Sequence, residues 1–275
     1  ASDLTAYSDR AFDRAAMLAE EYRGTIRFVH AVAPDSLPES YVQQEVLKAE
    51  GSLKQEVHDS GINQRLDVSI TVGRGKAEEV IVDEAAAMKA DLVVMGLSHD
   101  TSLTNIFRGT TIERVVRTAP CPVLVVKTRP WRRYKKIALA LDLAEPSRRA
   151  LDIALVAMPD GHFNIIHVNE SISSSRDAET AGSPEEIERH HEIRDLIIAR
   201  AAAIGRDERK LGDKLNLIVE SGKASRALQM HLSHLAPDLI VLGTHGRMGV
   251  PKFFLGSVAE ILMETLPQDL LVVRS

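Results

Sequence analysis

Three glycines and a hydroxyl are the most chemically suggestive residues of this 275-residue sequence. Gly243-Thr-His-Gly246 is followed, after nine residues, by Gly256-Ser257. The apolar run Asp238-Leu-Ile-Val-Leu242 ahead of it reads as a buried strand, and the residues from Ser257 onward read as a helix. Glycine lets backbone N–H groups approach an anion, and a helix N-terminus adds free donors and the positive end of a dipole. That chemistry is a phosphate cradle. Arg247 is placed to clamp a phosphate bidentately, with His245 beside it. Spacing alone leaves a second reading open, in which the glycines only shape a loop and Arg247 is solvated. Asp142, at the end of the run Lys136–Leu141, can accept from a ribose hydroxyl or an amino group, or can cap the helix that follows.

Competing chemistries fail on their spacing. Gly73-Arg-Gly75-Lys-Ala-Glu78 starts like a dinucleotide fingerprint but has Glu where the third Gly belongs. Gly75-Lys76 and Gly222-Lys223 lack both the upstream Gly and the following Ser or Thr of a Walker A loop. Gly96-Leu-Ser-His-Asp100 fails a nucleophile elbow at its last position. His231 and His234 share a helix face and His190-His191 precede Glu192, without visible further ligands, so no metal site is expected. Cys121, the one cysteine, lies between two prolines and reads as a small buried residue.

The elements that must position these groups occur twice. Residues 91–126 align without gaps onto 238–273 at an offset of 147, with twelve of 36 positions identical. Unrelated globular sequences would share about one position in sixteen, so the chain is one α/β unit written twice. In the second copy, strands are expected at Lys136–Leu141, Phe163–Val168, Leu215–Val219, Asp238–Leu242 and Leu270–Val273. Helices are expected from about Ser147, from a Ser183 capping box, over Ala224–Leu235 and over Ser257–Leu266. Strand and helix in alternation imply a parallel, doubly wound sheet of five strands per copy. The first copy repeats this with a helix over Tyr7–Glu20, a strand over Thr25–Ala31, and Val42, Val46, Ala49, Leu53 and Val57 on one helix face. Asp3 aligns with Asp142, yet nothing ahead of Ala1 matches Lys136–Leu141. The expectation is therefore that the first strand of this copy is missing from the sequence and lies upstream.

The run Gly243-x2-Gly246-x9-Gly256-Ser257, with Asp-Leu-Ile-Val-Leu before it and Val-Ala-Glu after it, resembles the ATP-binding signature of the universal stress protein family. Ala1-Ser-Asp-Leu-Thr-Ala-Tyr-Ser-Asp9 and Ala119-Pro-Cys-Pro-Val-Leu-Val-Val126 are similar to that family as well. The resemblance spans the chain twice, as two tandem Rossmann-like domains of the adenine nucleotide alpha hydrolase type. The boundaries expected are 1–128, a linker 129–134, and 135–275. It implies that Asp142 and Val168 hold adenine and ribose, that Gly243, Gly246, Gly256, Ser257 and Val258 surround ribose and phosphates, and that His245 and Arg247 lie nearby. The ligand implied is ATP, with or without Mg²⁺. The resemblance also implies an intramolecular pseudodimer formed through the last strands, Val123–Val126 and Leu270–Val273, and allows a further homodimer.

The first copy departs from the signature: Gly96, Gly109 and Thr110 are kept, but His99 replaces the second glycine. A side chain there disfavours φ > 0 and fills the space through which backbone reaches phosphate. The expectation is weak or absent nucleotide binding, with Asp3, Gly96, Gly109 and Thr110 leaving a smaller pocket.

Charge and composition close off other classes. With 34 Lys and Arg against 39 Asp and Glu, the net charge of -5 argues against a nucleic-acid surface. Apolar runs are too short for a membrane span, and the single cysteine with no signal-like start fits a reducing cytoplasm. The six basic residues of Lys127–Lys136, with Trp131 and Tyr134, read as a solvated linker. The function expected is a nucleotide-binding stress-response regulator with little or no turnover. A scaffold with loop-shaping glycines and a slow ATP hydrolase are the two alternatives.

Overall fold

Alternating apolar runs and amphipathic stretches condense into two units, Ala1–Arg133 and Tyr134–Ser275. The structure is a computed structural model that describes residues 1–33, 38–97, 110–170, 184–244 and 257–274.

The first unit runs α1 (Ala6–Tyr22), β1 (Ile26–Val32), α2 (Glu39–Ser60), β2 (Val68–Arg74), α3 (Ala77–Ala87), β3 (Val93–Gly96), α4 (Thr111–Thr118) and β4 (Val123–Val126). Helix α2 buries Val42, Ala49, Leu53 and Val57, four of the five stripe positions, while Val46 is half-buried. Gly61 ends α2 in the left-handed region at φ 64°. Phe12 and Phe28 stack tilted at 4.7 Å in a core shared with Ile26, Leu53, Val57 and Ile62.

The strands of this unit form two parallel ladders, not the expected five-stranded sheet. β1 pairs with β2 from Ile26 opposite Val68 to Val32 opposite Arg74, and β3 pairs with β4 from Val93 opposite Val123 to Gly96 opposite Val126. No described strand lies between β1 and β3. Instead the backbone N–H of Ser2 donates to Val29 O at 2.9 Å and the Ala1 nitrogen donates to Val94 O at 2.7 Å. Two residues thus touch both ladders where a central strand would end.

The second unit runs β5 (Lys136–Ala140), α5 (Glu145–Ala157), β6 (His162–Asn169), α6 (Pro184–Ala203), α7 (Glu208–Gly212), β7 (Leu215–Ser221), α8 (Ala224–Leu235), β8 (Leu239–Gly243), α9 (Ser257–Thr265) and β9 (Asp269–Val273). All five strands are parallel in the order β9-β8-β5-β6-β7. Ile137–Leu139, Leu239–Leu242 and Leu270–Val273 are buried throughout, as an interior parallel sheet demands. Helix α5 starts at Glu145, two residues ahead of expectation, because Pro146 fits the first turn where its missing N–H has no intrahelical partner. The short α7 was not expected; Asp207 caps it by accepting from Arg209 N and Lys210 N. Ser183, the expected cap of α6, lies outside the described residues.

Candidate functional site

The order of the second unit reverses direction at β5: β6 and β7 lie to one side, β8 and β9 to the other. A crevice opens at such a switch point, beyond the carboxyl ends of the two central strands. Asp142 follows β5, two residues past the rung Ala140–Ile166, which brings it to the same edge as Val168 of β6. Gly243 closes β8 one residue past the rung Ala140–Leu242. Four expected site residues, Asp142, Val168, Gly243 and Val258 at the start of α9, therefore fall at or beside the carboxyl edge together with the backbone of Ser257. His245, Gly246, Arg247 and Gly256 lie outside the described residues.

Each of these positions has a local cause. Asp142 is exposed; its Oδ1 accepts from Ala144 N at 3.1 Å in a turn ahead of α5, so it shapes the approach to the helix without being its N-cap. That turn forces Leu143 into the left-handed region at φ 65°, an uncommon state for a bulky side chain. Gly243 is fixed by close approach: a Cβ there would fall 2.5 Å from the carbonyl carbon of Pro146, 2.7 Å from Ser147 Cα and nearer still to Ser147 N. The first turn of α5 packs directly on the end of β8, and only glycine permits it. Thr244, 3% exposed, donates its N–H to Val273 O at 2.8 Å, while its hydroxyl has no hydrogen-bond partner among the described residues.

His167 was not singled out by the sequence reading. It is 7% exposed, and its Nδ1–H donates to Leu141 O at 2.7 Å, which leaves Nε2 as the acceptor. Burial is the largest influence on it and holds its pKa below the ordinary imidazole value. Leu141 O opposes that shift, as do Asp142 and Glu192, while Arg189 adds to it. The signal was present in the sequence: His30 occupies the matching position of β1, and its Nδ1 lies 3.0 Å from Ser2 O.

In the first unit, Asp3 is exposed and its Oδ1 accepts from Thr5 N at 3.1 Å and Thr5 Oγ1 at 2.6 Å. Gly96 ends β3. Thr110 is the N-cap of α4, accepting from Glu113 N at 3.2 Å, so its hydroxyl is engaged by the helix. His99 and Gly109 lie outside the described residues.

The profile of the universal stress protein family matches residues 1–127 and again 133–274. The chain belongs to the universal stress protein family. Two copies of the family's domain stand in tandem. Universal stress protein E of Salmonella typhi is 30% identical over 213 residues, covering 71% of this chain and 64% of its own. The same protein of Escherichia coli K12 is 30% identical over 214 residues with the same coverage, so the match spans about two thirds of the length of these relatives. Among solved structures, a universal stress protein from Archaeoglobus fulgidus shares the fold at a TM-score of 0.73 and 17% identity, over 99% of this chain and 96% of that one. α/β units of parallel strands flanked by helices are thus the fold of this chain.

The remaining sequence candidates are placed elsewhere. His231 Nε2 pairs with Glu220 Oε2 at 2.5 Å, whereas His234 Nδ1 bonds Met230 O at 2.7 Å. Lys76 and Lys223 occupy the N-cap positions of α3 and α8. Cys121 is buried, and burial raises its thiol pKa. Trp131 is exposed under the Arg132 guanidinium at 4.3 Å. Among the described residues no helix is long and apolar enough to cross a membrane.

Proposed function

We propose that the second unit binds ATP at its carboxyl edge and that the protein works as a nucleotide-dependent regulator with little or no turnover. The observation that carries this reading is the reversal of strand order at β5, which sets Asp142 and Val168 on one side of a crevice and Gly243 on the other. The described residues fit the nucleoside half of such a ligand. Asp142 is an exposed carboxylate with one oxygen engaged by Ala144, so the other is available to accept from a ribose hydroxyl or the adenine amino group. The Thr244 hydroxyl is a buried polar atom without a partner among the described residues, and an unpaired buried hydroxyl of that kind costs about 1–3 kcal/mol that a ligand atom would relieve. The phosphate half rests on the glycine spacing of Gly243, Gly246 and Gly256 with Ser257, and on Arg247. Binding is favoured over hydrolysis because phosphoryl transfer needs a group that positions water at the γ-phosphate, and spacing suggests only His245.

Calorimetric titration of the ligand-stripped protein with ATP and Mg²⁺ tests the reading. One site per chain is expected, abolished by Gly246→Val with the unfolding transition retained. Absence of both heat and thermal stabilisation across a wide ATP range would overturn it in favour of a scaffold.

A further inference from the structure

Leu141 is where the chain leaves the sheet on its way to Asp142. Its N–H donates to Ile166 O at 2.9 Å, one residue beyond the last rung of β5 and β6, Ala140 opposite Ile166. A parallel ladder carried further would next bring the N–H of Val168 to Leu141 O. That carbonyl instead receives the Nδ1–H of His167 at 2.7 Å, and the ladder stops. Asp142 follows, exposed, with its Oδ1 accepting from Ala144 N at 3.1 Å, and Leu143 is left-handed at φ 65°. A left-handed leucine persists only where its surroundings impose it. His167 holds the chain just before this turn, and Asp142 holds it just after.

The first unit repeats the arrangement. Ser2 N donates to Val29 O at 2.9 Å, and His30 Nδ1 lies 3.0 Å from Ser2 O. Asp3 Oδ1 accepts from Thr5 N at 3.1 Å, and Leu4 is left-handed at φ 61°. Register matches His30 to His167, because Ile26 lies opposite Val68 as Phe163 lies opposite Leu215. An imidazole, an aspartate and a left-handed leucine thus stay together in both copies.

The charged groups that act on the buried His167 ring are Asp142 after β5 and Glu192 and Arg189 of α6. Burial dominates and favours the neutral ring, while Asp142 is among the groups that favour the charged one. An imidazolium here therefore attracts the Asp142 carboxylate and competes for it with a hydroxyl or amino group of a ligand. The competition is reciprocal: the proton on His167 disfavours the ligand, and the ligand disfavours the proton.

We infer that His167 is a positioning residue for the nucleoside end of the second unit's ligand: the neutral ring, bonded to Leu141 O, sets Asp142 outward, and protonation of the ring draws it back and weakens binding. This role rests on the adenine-nucleotide reading of that unit. With the native ring titrating below the ordinary value of 6.5, affinity is level from pH 8 to about pH 6.5 and falls beneath it, with a slope that approaches tenfold per pH unit.

Calorimetric titration of the whole chain with adenosine, which has no group titrating between pH 8 and pH 5, tests this across that range, with ATP and Mg²⁺ at neutral pH alongside. The site to follow is the one weakened in Asp142→Asn. Binding about threefold or more weaker at pH 5 than at neutral pH is expected. His167→Phe leaves Leu141 O without the side-chain donor and should weaken adenosine about tenfold or more at neutral pH. His167→Asn offers an amide N–H in place of Nδ1–H and cannot take the charge, so it should recover most of that loss and hold affinity level with pH. The NMR shift of the Ala144 amide, which reports its bond to Asp142 Oδ1, gives a readout without ligand. It should titrate with the midpoint of His167 and stay level in His167→Asn. A pH profile of adenosine binding unchanged by His167→Asn, or a folded His167→Phe that binds as the wild type does, would overturn the inference while the second-unit reading stands. If His167→Phe does not fold, the His167→Asn profile and the Ala144 shift decide. An Ala144 shift that follows His167 with neither ligand bound would overturn the second-unit reading and leave His167 as the positioning residue of Asp142. A level Ala144 shift with no binding would overturn both.

Discussion

The two units share a backbone frame and exchange the side chains that fill it. In the first, Gly73 of β2 packs against Val80 of α3, so closely that a Cβ on Gly73 would overlap Val80 Cγ1 and lie 3.1 Å from Cγ2. In the second, the aligned pair is Glu220 and Ala227, the volume moved from helix to strand, with the Glu220 carboxylate carried out to His231. Main-chain hydrogen bonds and left-handed turns fix the frame, so both copies retain them; side-chain volume needs only to be conserved across a contact, so its location drifts. Charge drifts more freely still, as the reversal from Arg247 to Asp100 shows. A duplicated fold thus keeps its main-chain frame while the side chains along it diverge.

The largest effect should come from Gly243→Ala, which drives a methyl into the backbone of α5 where neither partner can rotate away. A loss of about 3 kcal/mol is expected in the second unit, read from the urea midpoint, and a neutral outcome would mean that α5 does not pack on β8 as described. Gly73→Ala in the first unit meets only a side chain, so about 1–2 kcal/mol is expected. If volume exchange is the correct account, the double variant Gly73→Ala with Val80→Ala should recover part of that loss, since the second unit already uses Ala227; strict additivity would refute it.

A pH experiment sharpens the contrast next. Because burial depresses the native pKa of His167, the unfolded chain binds the proton more readily, so stability is full above the ordinary imidazole value of 6.5 and falls as pH drops below it. The urea midpoint should decline between about pH 7 and pH 5, and His167→Asn should flatten that slope. An unchanged slope would remove His167 from the account. The smallest effects concern a matched ion pair. Asp152 is held by both Arg200 Nε and Nη2, at 2.7 and 2.5 Å, whereas the aligned Asp13 meets Arg129 at 3.4 Å with that side chain 82% exposed. Asp152→Ala should cost about 1 kcal/mol and Asp13→Ala less than about 0.5 kcal/mol in thermal unfolding; the reverse order would show that the bidentate geometry adds nothing.

The duplication, the parallel α/β class and the sheet edge were legible before any coordinates, because repeat identity, uninterrupted apolar runs and turn glycines are local properties of a chain. Gly243 was legible as a glycine that matters, but the reason differed: phosphate approach was inferred, and contact with Pro146 and Ser147 is what the fold shows directly. His167 could have been found by pairing it with His30 across the two copies, a comparison that needs the offset of 137 carried by β1 and β6.

What the sequence determined by itself is therefore the set of elements and their order, since hydrophobic period, capping and breaker residues act within a few residues of one another. What only the tertiary structure decided is which strands pair. The second unit closes five parallel strands around β5 in the order β9-β8-β5-β6-β7, an order in which neighbours in the sheet are not neighbours along the chain. Strand pairing, the burial of His167 and the backbone contact at Gly243 join residues tens of positions apart. Such contacts form through loop closure and packing among whole elements, so no local pattern encodes them.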